Sequence, residues 1–233
     1  MNKIKSFLET SFLDWDGKIS SVIFLCGCNL RCIYCHNYKL VLYPHELQDI
    51  SWDKIINYLL SHRKWIDGVC ITGGEPCLYN NLENLIREIK NNKLLVKLDT
   101  NGFFPEILIK LIGLKLIDFV AMDIKAPLEN KIYMRITGKE DIDIDKIKKS
   151  IMILQNSSIE YEFRTTVVPD IVGKEEVKNI AKMLDKNDKY VLQNFNPINA
   201  LSEELRKVKP YTKDEMILFQ ENCKNFVNNC IIR

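Results

Sequence analysis

No stretch of this chain stays apolar for the roughly 20 residues that a helix needs to cross a bilayer, and no charge of one sign prevails. Thirty-three basic residues stand against 31 acidic ones, a net charge of +2. That balance leaves no electrostatic footprint for nucleic acid. Near the start, Glu9, Asp14 and Asp16 interrupt the apolar run that a secretory signal needs. There is no G-x-G-x-x-G phosphate fingerprint, no internal repeat, no low-complexity segment and no Gly/Ser linker. These absences argue against a membrane-spanning protein, a secreted protein, a nucleic-acid binder and a dinucleotide-binding domain. With 46% apolar and 27% charged residues, the composition is that of a globule with ample core. The expectation is one cytoplasmic domain over residues 1–233.

Eight cysteines are present, and five of them, Cys26, Cys70, Cys77, Cys223 and Cys230, form no ligand-like group. Buried cysteine commonly serves as a small hydrophobe, and these five read as structural. The other three stand in Cys28-Asn29-Leu30-Arg31-Cys32-Ile33-Tyr34-Cys35, which Cys26-Gly27 joins to the apolar run Val22-Ile23-Phe24-Leu25. A C-x3-C-x2-C triplet offers three thiolates at one strand-to-loop junction. A cubane [4Fe-4S] cluster ordinarily takes four, so three leave one iron open to bind a substrate. A structural zinc site usually shows two separated ligand pairs. Here the only close fourth ligand is His36, which abuts Cys35 and closes a tetrahedron awkwardly. A disulfide framework suits neither the length nor the scatter of the remaining cysteines.

Short β-branched runs alternate with helical patterns. Strands are predicted over 20–27, 67–72, 94–100, 116–125, 160–168 and 189–195. Helices are predicted over 52–64, 82–91, 104–112, 144–155 and 175–184, and Thr212 reads as the N-cap of a last helix over 213–228. Alternation of this kind means parallel strands with right-handed crossovers. Six units are too few for a closed eightfold barrel and fit an α/β fold of the partial, open (β/α)6 type.

Ligands of such folds bind beyond the C-terminal ends of the strands, where the unusual motifs fall. Gly73-Gly74-Glu75-Pro76 ends the second predicted strand and brings bare backbone to the rim; a plain Gly-Gly turn is the competing reading. Asp99-Thr100-Asn101-Gly102 ends the third, where Asp99 also suits a turn cap. Asp123-Ile124-Lys125 ends the fourth, with Asp123 and Lys125 on one side of the strand; an internal ion pair is the competing reading. Arg164 and Gln193 are further rim candidates, or members of a buried polar network.

The triplet and its flanks resemble the radical S-adenosylmethionine (radical SAM) enzymes, and Tyr34-Cys35-His36-Asn37 is similar to their glycyl-radical-enzyme activating subgroup. The likeness runs from about residue 20 to 195. It is nearest to the activating proteins of anaerobic ribonucleoside-triphosphate reductase, then to pyruvate formate-lyase activating enzymes. Leu98-Asp99-Thr100-Asn101-Gly102, Met122-Asp123-Ile124-Lys125, Ile136-Thr137-Gly138 and Phe163-Arg164-Thr165-Thr166-Val167-Val168-Pro169 favour that group.

The resemblance implies that Cys28, Cys32 and Cys35 hold one [4Fe-4S] cluster and that the cofactor S-adenosyl-L-methionine binds its open iron. Tyr34, Cys35 and His36 would meet the nucleoside. Gly73, Gly74 and Glu75 would meet the methionine end, and Asp123, Ile124 and Lys125 the rest. Asn196 stands where related enzymes often have histidine. A flavodoxin or ferredoxin would supply the electron, and the resulting 5′-deoxyadenosyl radical would take hydrogen from a glycine Cα of a glycyl-radical enzyme. Asp99, Asp123 and the SAM carboxylate would repel one another, with Lys125 the one neutralising charge. A Na⁺ or K⁺ ion on Asp99, Thr100, the Ala121 carbonyl and Asp123 is therefore expected, as in pyruvate formate-lyase activating enzymes. Two alternatives stand: a radical SAM enzyme acting on a small molecule, such as a 7-carboxy-7-deazaguanine synthase, and a non-catalytic iron–sulfur or zinc protein.

Overall fold

The computed structural model describes residues 3–233. Its centre is one eight-stranded sheet in the spatial order of the sequence. The strands are β1 (Ile4–Ser11), β2 (Ser20–Leu25), β3 (Gly68–Gly73), β4 (Leu95–Thr100), β5 (Phe119–Asp123), β6 (Glu160–Val167), β7 (Lys189–Asn194) and β8 (Asn229–Ile232). β1 runs antiparallel to β2; every later neighbour pairs in parallel. The six predicted strands are β2 to β7. β1 and β8 do not pair with each other, so the barrel stays open as expected.

The crossovers carry α1 (Tyr38–Leu42), α2 (Trp52–His62), α3 (Leu82–Asn91), α4 (Pro105–Gly113), α5 (Asn130–Thr137), α6 (Ile144–Gln155), α7 (Lys174–Ala181) and α8 (Lys213–Cys223). α2 starts where the Ser51 hydroxyl accepts from Lys54 N, and it fully buries Ile55 and Leu59. Each such side chain contributes about 1.5–3 kcal/mol. Thr212 caps α8 as predicted, with Glu215 answering in a reciprocal capping box. α8 ends at Cys223 rather than residue 228, because the chain must turn there to deliver β8: Val227 N and Phe226 N both close onto the Cys223 carbonyl, at 3.0 and 2.8 Å.

Two apolar layers result. The larger fills the space between sheet and helices and includes Leu25, Ile71, Leu98, Ile124 and Phe163. The smaller packs Trp15, Val22, Cys70, Phe119 and Ala121 together, with Phe24 and Leu95 against them. Trp15 comes from the β1–β2 hairpin, and the N-terminal ends of β2, β3 and β5 supply its neighbours. The base of the barrel is thereby closed and the C-terminal rim left for polar groups.

Candidate functional site

The rim opens on a cavity of about 270 Å³, near the lower end of the usual range for ligand sites. Cys28, Cys32, Cys35, Tyr34, His36, Gly73, Gly74, Asp99, Thr100, Asn101, Asp123, Lys125, Arg164 and Gln193 all line it. Most of the residues singled out from sequence therefore meet in one place, although they come from six strands.

The cysteine loop is held from two sides. Gly74 N donates to the Leu25 carbonyl (2.9 Å) and Glu75 N to the Gly27 carbonyl (2.8 Å). A Cβ on Gly74 would collide with that Gly27 carbonyl, and Gly73, at φ +118°, has the Leu25 backbone against it. The two glycines are thus demanded by the close approach of two strand ends. On the other side Arg31 N and Ile33 N donate to the Thr137 and Ile136 carbonyls at the end of α5 (2.7 and 3.1 Å). Ile136-Thr137-Gly138 is the socket of the loop, with Gly138 in the left-handed conformation that ends the helix.

Burial pushes the Cys28 thiol up to about 11 and the Cys32 thiol to about 12, and raises Cys35 as well. Leu30 N and Asn101 Nδ2 donate toward Cys28 Sγ at 3.4 and 3.8 Å, the kind of contact that tunes a thiolate ligand. Among the described residues, no three His, Cys, Asp or Glu side chains gather closely enough for a single metal ion. The corners of a cubane are wider apart, so three thiols ringing one cavity suit a cluster better than a mononuclear zinc. The Tyr34 hydroxyl is buried without a partner, an arrangement that costs stability unless a ligand completes it. Burial and Lys125 lower His36, which leaves the ring neutral. The donor set, the bare glycine turn and the orphaned hydroxyl fit a [4Fe-4S] cluster with SAM.

Four of the expected residues are not among those that line the cavity. Glu75 is 1% exposed. Its carboxylate accepts from Cys77 N (3.0 Å), Thr100 Oγ1 (2.8 Å) and Asn101 N (2.8 Å), so it ties the end of β3 to β4. Ile124 lies in the outer core, with its backbone joined to Arg164 and Thr165 on β6. Asn196 is exposed and its side chain accepts from Ile198 N (3.1 Å) in a turn beyond β7; Phe195, not Asn196, turns inward. Ala121 is fully buried in the base layer.

The charges of the rim also differ from expectation. Asp123 accepts from Arg164 Nε and Lys125 Nζ, both at 2.8 Å. Asp99 faces Arg164 Nη1 at 3.2 Å and Lys97 Nζ at 3.1 Å. For both aspartates burial acts upward, but Arg164, joined by Lys97 at Asp99 and by Lys125 at Asp123, holds the carboxyls below the ordinary range. Arg164 and Lys97 thus stand where Lys125 was expected to act alone. Lys97 escaped the sequence reading; its signal is a lysine between Val96 and Leu98, two residues before Asp99.

The comparisons agree with this geometry. The radical SAM superfamily profile matches residues 22–185. A Methanocaldococcus jannaschii protein, provisionally named a glycyl-radical enzyme activating enzyme, is 33% identical over 99% of this chain and 95% of its own. The pyruvate formate-lyase-activating enzyme of Staphylococcus aureus is 31% identical over 53% of each. A radical SAM methyltransferase from Sphaerobacter thermophilus superposes with a TM-score of 0.74, at 12% identity, over 96% of this chain and 68% of that one. Streptococcus suis SuiB superposes at 0.65 with 16% identity, over 89% and 47%; these two bear on the fold alone. The chain is an enzyme of the radical SAM superfamily, in one family with the archaeal glycyl-radical enzyme activating relative.

Proposed function

We propose that this protein installs the glycyl radical of an anaerobic ribonucleoside-triphosphate reductase. The observation that carries the reading is the convergence of Cys28, Cys32 and Cys35 with Tyr34, Asp123 and Lys125 on one cavity at the strand ends. When bound, the reduced cluster and SAM together supply the radical that takes hydrogen from a glycine Cα. The residues of this chain do the rest. The three thiols fix the cluster beside β2. Gly73 and Gly74 let the cysteine loop and the β3 turn close on each other. Lys125 and Arg164 offer positive charge to the methionine carboxylate, and Tyr34 offers a ring and an unpaired hydroxyl to the nucleoside. The buried lining keeps water from the reacting atoms.

The choice of the reductase as partner rests on the motifs ending β4, β5 and β6; the archaeal relative's name supports a glycyl-radical enzyme without saying which. A flavodoxin or ferredoxin is the electron donor of this reading, and the reducing cytoplasm its setting; no helix among the described residues is long and apolar enough to cross a membrane. The test uses protein purified without oxygen and reconstituted with iron and sulfide. Dithionite and SAM should yield methionine and 5′-deoxyadenosine. An absence of SAM cleavage by a fully loaded cluster would favour an electron-transfer or scaffolding role instead.

A further inference from the structure

We propose that Lys97 is a built-in monovalent cation for the SAM site, and that the site takes up no Na⁺ or K⁺. The proposal deepens the reading of that site and rests on it.

Lys97 lies two residues before Asp99 on β4, so both side chains leave the same face of the strand. The lysine is buried, with its side chain only 3% exposed. Its ammonium stands 3.1 Å from Asp99 Oδ1 and donates to the Asp14 carbonyl at 2.5 Å. Below it the Phe119 ring centroid is 5.8 Å away, a distance at which an aromatic face attracts a cation. The ammonium therefore sits among a carboxylate oxygen, a carbonyl oxygen and a ring face, groups that also accommodate a potassium ion of equal charge.

Every carboxylate oxygen of the two aspartates faces a cation, Asp99 Oδ1 through charge alone, since it accepts no hydrogen bond. Lys97 meets Asp99 Oδ1 and Arg164 meets Asp99 Oδ2. Arg164 also meets Asp123 Oδ1, and Lys125 meets Asp123 Oδ2. Two carboxylates stand against three cations, a surplus of one positive charge that suits the SAM carboxylate. A free cation entering here would meet Arg164 and Lys97 at close range and gain no unshared carboxylate. Of the other expected ligands, one hydroxyl is engaged and one residue stands off the cavity lining. The Thr100 hydroxyl donates to Glu75 (2.8 Å), and Ala121 is fully buried away from the cavity. Lys97 acts through Asp99 and is a positioning residue.

The decisive experiment compares the reconstituted holoenzyme with its Lys97→Met variant. Crystals soaked in RbCl, with and without SAM, are read by anomalous scattering for Rb⁺ between Asp99 and Asp123. SAM affinity is measured calorimetrically in KCl, NaCl and choline chloride at one ionic strength. The wild type should hold no Rb⁺ there and bind SAM equally in all three salts. Lys97→Met should acquire Rb⁺ and bind SAM on the order of tenfold more weakly in choline than in potassium. Lys97→Arg should behave as the wild type. Rb⁺ on the wild-type aspartates, or a wild-type affinity that follows the cation, overturns the proposal; so does a folded Lys97→Met protein indifferent to cations. If Lys97→Met does not fold, the wild-type arms decide. Failure to bind SAM in any salt would instead count against the functional reading, and Rb⁺ occupancy would still settle the role of Lys97.

Discussion

Tyr34 presents the sharpest contrast between the free and the occupied site. Its hydroxyl is buried and unpaired, and deleting an unpaired buried polar atom relieves a desolvation cost. Tyr34→Phe should therefore raise the melting temperature of SAM-free protein, by about 1 kcal/mol of stability, and weaken SAM binding measured calorimetrically. Loss of stability without SAM would mean that the hydroxyl already has a partner. The cysteines make a second prediction. Cys28→Ala, Cys32→Ala or Cys35→Ala should abolish reductive SAM cleavage, whereas Cys223→Ala, far along α8, should retain about four irons per chain. About eight irons in the wild type would mean two cubanes and would contradict the single cluster. These residues were legible because ligand spacing is local. That Glu75 bonds to β4, that Asn196 sits in an exposed turn and that Ile124 packs in the core was not legible, since the direction of a side chain depends on strands distant in sequence.

At the scale of elements, the predicted strands correspond to β2 through β7 because each is a dense β-branched run between helices of clear period. β1 was missed: its sequence, Ile-Lys-Ser-Phe-Leu-Glu-Thr-Ser, is a half-exposed edge strand, without the continuous apolar signal of a central parallel strand. β8 is only four residues long and lies just past the helix predicted to residue 228, too short to carry a pattern. α5 is short, and its value lies in docking the cysteine loop, a long-range contact that no local pattern reports.

The base of the barrel is tied by charge. Glu162 on β6, 1% exposed, meets Arg233 Nη1 at 2.6 Å and Lys189 Nζ at 3.0 Å, and Asp16 of the hairpin meets the same two cations. Burial pushes Glu162 up, but Arg233, then Arg164 and Lys189, hold it below its ordinary value of 4.5. A carboxyl depressed in the folded state stabilises fully above its unfolded value and loses that contribution as pH falls through the folded one. Wild-type melting temperature should drop steeply below pH 4.5, where this contribution is lost. Glu162→Gln should melt lower at neutral pH and lose less on acidification. Parallel pH curves for the two proteins would rule out this role. Gly74→Ala, which drives a Cβ into Gly27, should destabilise the β2–β3 junction by more than about 1 kcal/mol and impair cluster reconstitution, read from iron content.

For the whole molecule, the rim is built and the sheet is left unclosed between β1 and β8. A partial barrel gives a partner loop a way in from the side, which a closed one would deny. The fold class was legible from the strand–helix alternation; the opposition of Lys97, Arg164 and Lys125 to two aspartates was not, because it joins three strands across the barrel mouth. The central claim is that the cavity serves a glycine on another protein. The most direct measurement is electron paramagnetic resonance of the anaerobic ribonucleotide reductase from the same organism, mixed with reduced, reconstituted protein and SAM. A glycyl radical doublet on the reductase, absent with Cys32→Ala, is the predicted result. Reductive SAM cleavage that turns over a free nucleoside or pterin and leaves no doublet on the reductase or any other candidate partner would contradict the account.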